Sequence, residues 1–164
     1  MIPILIMSFY LQDNFAHYMA AGIFIFASIT DYFDGFLARL WSTQSRFGAV
    51  LDPTADKMLV ASALLMLVHF DKVDVFPAIA ILCREILVSG LREHLAETKV
   101  SIPVSNIAKI KTVIQMIAIT VLLLGEECTG IPYTDAIGQF LIWIAAILTL
   151  ATGYVYLKEG LKHL

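Results

Sequence analysis

Six apolar stretches separated by short polar links make up most of the chain. They cover about residues 2–11, 16–40, 47–70, 75–96, 104–124 and 134–157. The first is short, whereas the other five reach about 20 residues or more, the length that an α-helix needs to cross a bilayer. The pattern predicts an all-α, polytopic membrane helix bundle of about six transmembrane helices, with the first helix N-terminally incomplete. We expect a single domain over residues 1–164.

Composition points to the same class of protein. The chain is 59% hydrophobic and its mean hydropathy is +0.82, which is far from the composition of a soluble domain. Neither Cys83 nor Cys128 has the spacing of a metal site or of a disulfide framework. No pattern indicates nucleic-acid binding, so we expect membrane lipids, and not nucleic acid, among the partners.

Two pairs of aspartates interrupt the apolar pattern. Asp31 and Asp34 lie in the second stretch, and Asp52 and Asp56 lie in the third. On a helix the first pair is about 60° apart and the second about 40° apart, so each pair shares one face. Two antiparallel helices joined by a short turn bring both faces together. Carboxylates beside membrane-length apolar runs cost free energy unless they pair or bind a metal, and four oxygen ligands suit Mg²⁺ or Mn²⁺.

Two local interpretations stay open at this level. The four acids could instead face water at a helix turn or line a cation pathway. Pro53 fits the first turn of a helix, where its missing N–H is not needed, or it lies in a longer helix that is kinked there.

Basic residues are concentrated at one end of the predicted helices. The polar links at the other end contain only one basic residue, Lys72. Because basic residues favour the cytoplasmic side, we expect the end that also carries both aspartate pairs to face the cytoplasm. The basic residues at that end are Arg39, Arg46, Arg92, Lys99, Lys109, Lys111, Lys158 and Lys162.

The spacing of the acids resembles a known signature. Residues 31–56 follow the pattern D-x2-D-G-x2-A-R-x8-G-x3-D-x3-D, which is similar to that of the CDP-alcohol phosphatidyltransferase family. Residues 46–57, 83–93 and 108–116 resemble its bacterial phosphatidylglycerophosphate synthase branch. The resemblance implies transfer of a phosphatidyl group from CDP-diacylglycerol to sn-glycerol 3-phosphate, with release of CMP. It also implies the bacterial inner (cytoplasmic) membrane, with the active site facing the cytoplasm, and leaves a homodimer open.

The same resemblance implies roles for the four acids. Asp31 and Asp52 resemble ligands that bridge two Mg²⁺ ions, for which Mn²⁺ is the alternative. Asp34 resembles a ligand of one ion and Asp56 a ligand of the other. Asp56 also resembles the catalytic general base.

Small and polar neighbours of the acids resemble a CDP site. Gly35 and Ala38 have little bulk, so that nucleotide and metals can approach the backbone, and Gly48 lets the second and third helices pack closely. In the family the first helix usually follows a segment like Pro-Asn-x-Leu-Thr-x-x-Arg, and residues 2–5 match the part just after it. The predicted CDP-binding residues are Gly35, Ala38, Arg39, Ser45 and Gly48.

An acceptor that carries its own phosphate requires cations near the acids. Arg84 lies in the middle of the fourth stretch, where a charge is costly without a function, whereas Arg92 near the membrane surface could equally be an anchor. Lys109 and Lys111 are about 160° apart on a helix, so they cannot both face one small pocket. The predicted acceptor-phosphate residues are Arg84, Arg92, Lys109 and Lys111.

Two other functions stay open. Within the family the acceptor could differ, for example phosphatidylglycerol in a cardiolipin synthase. In another class, four membrane acids could serve a cation carrier, which would move metal and leave CDP-diacylglycerol untouched.

Overall fold

Every regular element that the structure describes is an α-helix. The computed structural model describes residues 2–10, 14–40, 46–97 and 106–160, and several side chains within these ranges, including those of residues 31–53 and of Asp56, lie outside the description. The predicted all-helical membrane bundle is confirmed. The helices are α1 (Ile2–Phe9), α2 (Asn14–Leu40), α3 (Arg46–His69), α4 (Val75–Glu97), α5 (Asn106–Thr129) and α6 (Thr134–Gly160).

The helices end within about three residues of the predicted bounds, except at the C-terminus of α5. Gly125 interrupts that helix with φ 67° and ψ 171°, and one further turn follows before the helix ends at Thr129. A positive φ costs little at glycine, since there is no Cβ to clash. The Thr129 hydroxyl donates to the carbonyl oxygen of Gly125 at 2.9 Å and closes this turn.

Helix α3 begins at Arg46 and runs through Pro53. The interpretation of Pro53 as a first-turn residue is therefore wrong, and the longer helix is the one observed. A proline inside a helix removes one backbone hydrogen bond, a loss that neighbouring helices in a membrane bundle can tolerate. The consequence is that Asp52 and Asp56 lie on one continuous helix.

Among the residues whose side chains the structure describes, two segments are long and apolar enough to cross a membrane by length and composition alone. They are Lys109–Thr129 and Thr134–Lys158, with hydropathies of 1.5 and 2.0. Helices α2, α3 and α4 have 27, 24 and 23 residues, which at about 1.5 Å per residue also matches a bilayer core of about 30 Å. Within α2 and α3, the described apolar stretches are Phe15–Thr30 and Lys57–His69.

The outer surface of the bundle is apolar. Phe76 is 80% exposed, Ile86 71% and Phe140 67%, and many other large apolar side chains face outward with them. An apolar surface of this extent suits lipid and not water. The exposure pattern thus agrees with a protein embedded in a membrane.

The core combines large apolar side chains with small residues that let helices approach closely. Ala63, Ala118 and Ala145 are completely buried. A Cβ added at Gly138 on α6 would lie 2.5 Å from Cγ of Leu122 on α5, which is closer than real side chains come. Close packing through small residues is how helices associate in membranes, where water supplies no hydrophobic driving force between them.

Polar contacts tie the helices together at the end away from the aspartate pairs. Lys72 donates to a carboxylate oxygen of Asp135 at 2.7 Å, and the other oxygen accepts the backbone N–H of Glu126 at 3.2 Å. The Gln139 side chain donates to the carbonyl oxygen of Lys72 at 3.3 Å. These contacts join the α3–α4 link to the start of α6 and the end of α5.

Candidate active site

The four aspartates lie on two helices that contact each other. Asp31 and Asp34 are near the C-terminus of α2, and Asp52 and Asp56 are near the N-terminus of α3. Only residues 41–45 separate the two helices in the chain, so both pairs belong to the same end of the bundle. Their side chains lie outside the described residues, and the metal site therefore stays a prediction.

The predicted CDP-binding residues surround the acids in the sequence. Gly35, Ala38 and Arg39 belong to α2, and Gly48 belongs to α3. Ser45 falls in the 41–45 segment, outside the described residues, and the side chains of the others are outside them as well. Their role in CDP binding likewise stays a prediction.

A buried cluster of charges joins α4 to α5. Arg84 on α4 and Lys111 on α5 are 7% and 2% exposed. Both donate to the same carboxylate oxygen of Glu85, Arg84 from Nη1 at 3.1 Å and Lys111 from Nζ. Two cations around one carboxylate leave a net positive charge in a poorly hydrated place, which is costly unless it serves an anion.

Helix α6 holds Arg84 from the other side. Nη2 of Arg84 donates to the Thr152 hydroxyl at 3.3 Å, and Thr152 in turn donates to the carbonyl oxygen of Leu148 at 2.8 Å. The stem of Arg84 lies against Gly153, where an added Cβ would be 2.8 Å from its Cγ. Glycine at this position is what allows the arginine to lie flat on the α6 backbone.

Arg92 reaches the same part of α6. Its Nη2 donates to the Tyr156 hydroxyl at 2.9 Å, and its guanidinium carbon lies 4.9 Å from the centre of the Tyr156 ring. The guanidinium carbon of Arg84 lies 5.8 Å from the same ring. Tyr156 therefore connects Arg84 and Arg92, which are two turns apart on α4.

The structure separates the two lysines, as their angular spacing predicts. Lys111 is buried against Glu85, whereas Lys109 is exposed on another face of α5. Of the four predicted acceptor-phosphate residues, the structure thus brings together Arg84, Arg92 and Lys111. Lys109 does not join them.

Lys57 links this basic cluster to the acid-bearing helix. It follows Asp56 on α3, and its ammonium group donates to the Ser89 hydroxyl on α4. Ser89 lies one helical turn after Glu85 on α4. The end of the aspartate motif and the basic cluster are therefore adjacent along the α3–α4 contact.

Sequence reasoning missed the contribution of α6. Thr152, Gly153 and Tyr156 lie in α6, the most apolar of the long helices, and carry no part of the recognised signature. A signal was present, because the polar residues Thr149, Thr152 and Tyr156 recur at spacings of three and four and so share one helix face. All three are buried, with exposures of 0%, 6% and 4%.

Replacing Gly153 with alanine tests the contact with Arg84. The new Cβ must displace the arginine stem, so we expect Gly153→Ala to weaken apparent binding of an anionic acceptor about tenfold, comparable to losing one hydrogen bond to a charged group. The measurement is the KM for each substrate in purified protein. Gly90→Ala on α4 is the matched control, because a Cβ there meets nothing within 4 Å. Equal KM values for Gly153→Ala and Gly90→Ala would contradict the packing argument.

Comparison with known proteins gives the family of the chain. The sequence profile of the CDP-alcohol phosphatidyltransferase family matches residues 1–151. The chain therefore belongs to the CDP-alcohol phosphatidyltransferase family.

Three curated proteins are similar to this chain over most of its length. A protein of Rickettsia felis is 48% identical over 162 residues, covering 99% of this chain and 90% of its own length. One from Rickettsia typhi is 50% identical over 157 residues, covering 96% and 88%. A more distant one from Cereibacter sphaeroides is 37% identical, covering 97% and 89%. All three are named CDP-diacylglycerol–glycerol-3-phosphate 3-phosphatidyltransferase.

Proposed function

We propose that this protein transfers the phosphatidyl group of CDP-diacylglycerol to sn-glycerol 3-phosphate, giving phosphatidylglycerophosphate and CMP. The family membership and the names of the relatives support this reaction. The observation in the structure that carries the choice of acceptor is the pair of buried cations Arg84 and Lys111, with the more exposed Arg92 beside them, next to the aspartate-bearing helix. A phosphate monoester brings about two negative charges to such a cluster.

The proposed reaction assigns the four aspartates to two Mg²⁺ ions. Four carboxylates from two contacting helices are a set of hard oxygen donors, which Mg²⁺ prefers and Mn²⁺ also accepts. Asp31 and Asp52 would bridge the ions, with Asp34 and Asp56 each completing one of them. When bound, the ions neutralise the pyrophosphate of the donor and stabilise the negative charge that develops on the departing CMP.

A carboxylate of the chain activates the acceptor hydroxyl. Asp56 takes the proton of the attacking hydroxyl as its oxygen forms a bond to the β-phosphorus, which bears the diacylglycerol. The bond from that phosphorus to the bridging oxygen breaks, and the electron pair leaves with CMP. A positioned carboxylate base contributes typically about 10² to 10⁴ in rate.

The basic cluster selects the acceptor. Cations in a low-dielectric pocket interact more strongly with a dianion than with a neutral or singly charged molecule. Glycerol lacks the phosphate, and the phosphodiester of phosphatidylglycerol carries only one charge. The cluster therefore favours glycerol 3-phosphate over the acceptor of a cardiolipin synthase. Family membership likewise favours a transferase over a cation carrier.

Charge distribution and chemistry support a location for the protein. Lys158 near the end of α6 and Arg92 near the end of α4 lie towards the same side as the aspartates, which supports a cytoplasmic orientation. We therefore place the protein in the bacterial inner membrane with its site open to the cytoplasm, where a soluble phosphorylated acceptor can reach it.

An acceptor assay tests the proposal. Purified protein in detergent or liposomes is incubated with CDP-diacylglycerol, Mg²⁺ and one acceptor at a time, and CMP release and lipid products are measured. We expect phosphatidylglycerophosphate from glycerol 3-phosphate and little product from glycerol or phosphatidylglycerol. Equal use of glycerol would contradict the role of the basic cluster. Metal transport into liposomes without CMP release would contradict the transferase itself.

A further inference from the structure

The contact of two arginines with one tyrosine is not explained by the aspartate motif. Arg84 and Arg92 lie over the ring of Tyr156 at 5.8 and 4.9 Å, within the distance of about 6 Å at which a cation is attracted to an aromatic face. Tyr156 is only 4% exposed, so this attraction acts with little competition from water. Its hydroxyl also accepts a hydrogen bond from Arg92.

We propose that Tyr156 is a positioning residue that holds Arg84 and Arg92 together for the phosphate of the acceptor. The inference rests on the proposed function, because it assigns a residue of α6 to acceptor recognition in that reaction. Tyr156 acts through the two arginines and touches neither the metals nor the reacting atoms.

The chemistry of tyrosine fits this role better than that of an acid. Two guanidinium groups repel each other, and a carboxylate between them would remove the repulsion only by neutralising the charge that the phosphate needs. The π face and the hydroxyl oxygen of tyrosine stabilise both cations without adding a negative charge. Arg92 forms no ion pair with any side chain that the structure describes.

The pairing of Arg84 limits how it can move. Glu85 and Thr152 each hold one of its terminal nitrogens, and Gly153 supports its stem. Tyr156 lies one helical turn after Thr152 on α6. Arg92 is more exposed and depends on Tyr156 for its described contacts. Loss of Tyr156 should therefore free Arg92 first and loosen Arg84 second.

Two substitutions distinguish the contribution of the Tyr156 hydroxyl from that of its ring. Tyr156→Phe keeps the π face and removes the hydrogen bond to Arg92, whereas Tyr156→Leu removes both. We expect the KM for glycerol 3-phosphate to rise about fivefold in the first and about 30-fold in the second, from the usual strengths of these interactions. The KM for CDP-diacylglycerol and the kcat should stay near the wild-type values, which a general packing defect would not allow.

Tyr154 provides the matched control. It lies on the same helix but is 69% exposed, so Tyr154→Phe and Tyr154→Leu should leave both KM values unchanged. In an Arg92→Ala background, Tyr156→Phe should add no further rise in KM, because the hydrogen-bond donor is already gone. This double-mutant cycle of Tyr156→Phe and Arg92→Ala tests the positioning role even where Tyr156→Leu does not fold.

The kinetic outcomes distinguish failure of the positioning role from failure of the proposed function. Wild-type protein that uses glycerol 3-phosphate while the Tyr156 variants keep its KM would overturn the positioning role alone. Equal effects on both substrates, or additive effects of Tyr156→Phe and Arg92→Ala, would also overturn it. Wild-type protein that transfers nothing to glycerol 3-phosphate would overturn both the function and this inference.

Discussion

Asp31→Asn and Asp52→Asn should each abolish phosphatidyl transfer at any substrate concentration. Each of these aspartates is proposed to bridge both Mg²⁺ ions, so an amide in its place weakens two sites at once. Metal ions stabilise transition-state charge by several kcal/mol, which corresponds to a loss of about 10³-fold or more in turnover. The measurement is CMP release at saturating substrates over a range of Mg²⁺ and Mn²⁺ concentrations.

Asp71→Asn is the control for this experiment. Asp71 is exposed at the opposite end of the bundle and has φ 56°, a conformation that asparagine also tolerates. It should keep wild-type turnover. Mn²⁺ binding, measured by electron paramagnetic resonance, adds a readout that does not depend on activity. Asp31→Asn and Asp52→Asn should lose Mn²⁺ binding. Substantial turnover by either variant would contradict the two-metal site.

Arg84→Ala should raise the KM for glycerol 3-phosphate by roughly 10- to 150-fold, from a loss of about 1.5 to 3 kcal/mol for a charged hydrogen bond. The KM for CDP-diacylglycerol should change little, because the aspartates and their metals hold that substrate. The bundle should survive the change, since Glu85 keeps Lys111 as its partner and no buried carboxylate is left unpaired.

Two further variants sharpen the Arg84 test. Arg84→Lys keeps the charge but loses the planar fork that reaches Glu85 and Thr152 together, so its KM should lie between those of the wild type and Arg84→Ala. Lys158→Ala removes an exposed cation outside the cluster and should have no effect. A rise in the KM for CDP-diacylglycerol alone would assign Arg84 to the donor site.

Much of the fold could be predicted because membrane helices are encoded locally. Bilayer thickness sets the length of an apolar helix, so most helix ends followed from the hydrophobic pattern. Where the prediction failed, a local pattern had two solutions. Pro53 is compatible with a helix start and with a helix interior, and Gly125 allowed one more turn than the apolar stretch indicated.

The sequence by itself determined the family, the four acids and their pairing on helix faces, because these depend on spacing along single helices. It also predicted that Lys109 and Lys111 face different ways. Only the tertiary structure decided that Lys111 is the lysine beside Arg84. It also showed that Glu85 is the common partner of Arg84 and Lys111. The tertiary structure likewise assigned Thr152, Gly153 and Tyr156 to the site. Their contacts to α4 span more than 60 residues of chain, and no local periodicity specifies which helices pack together.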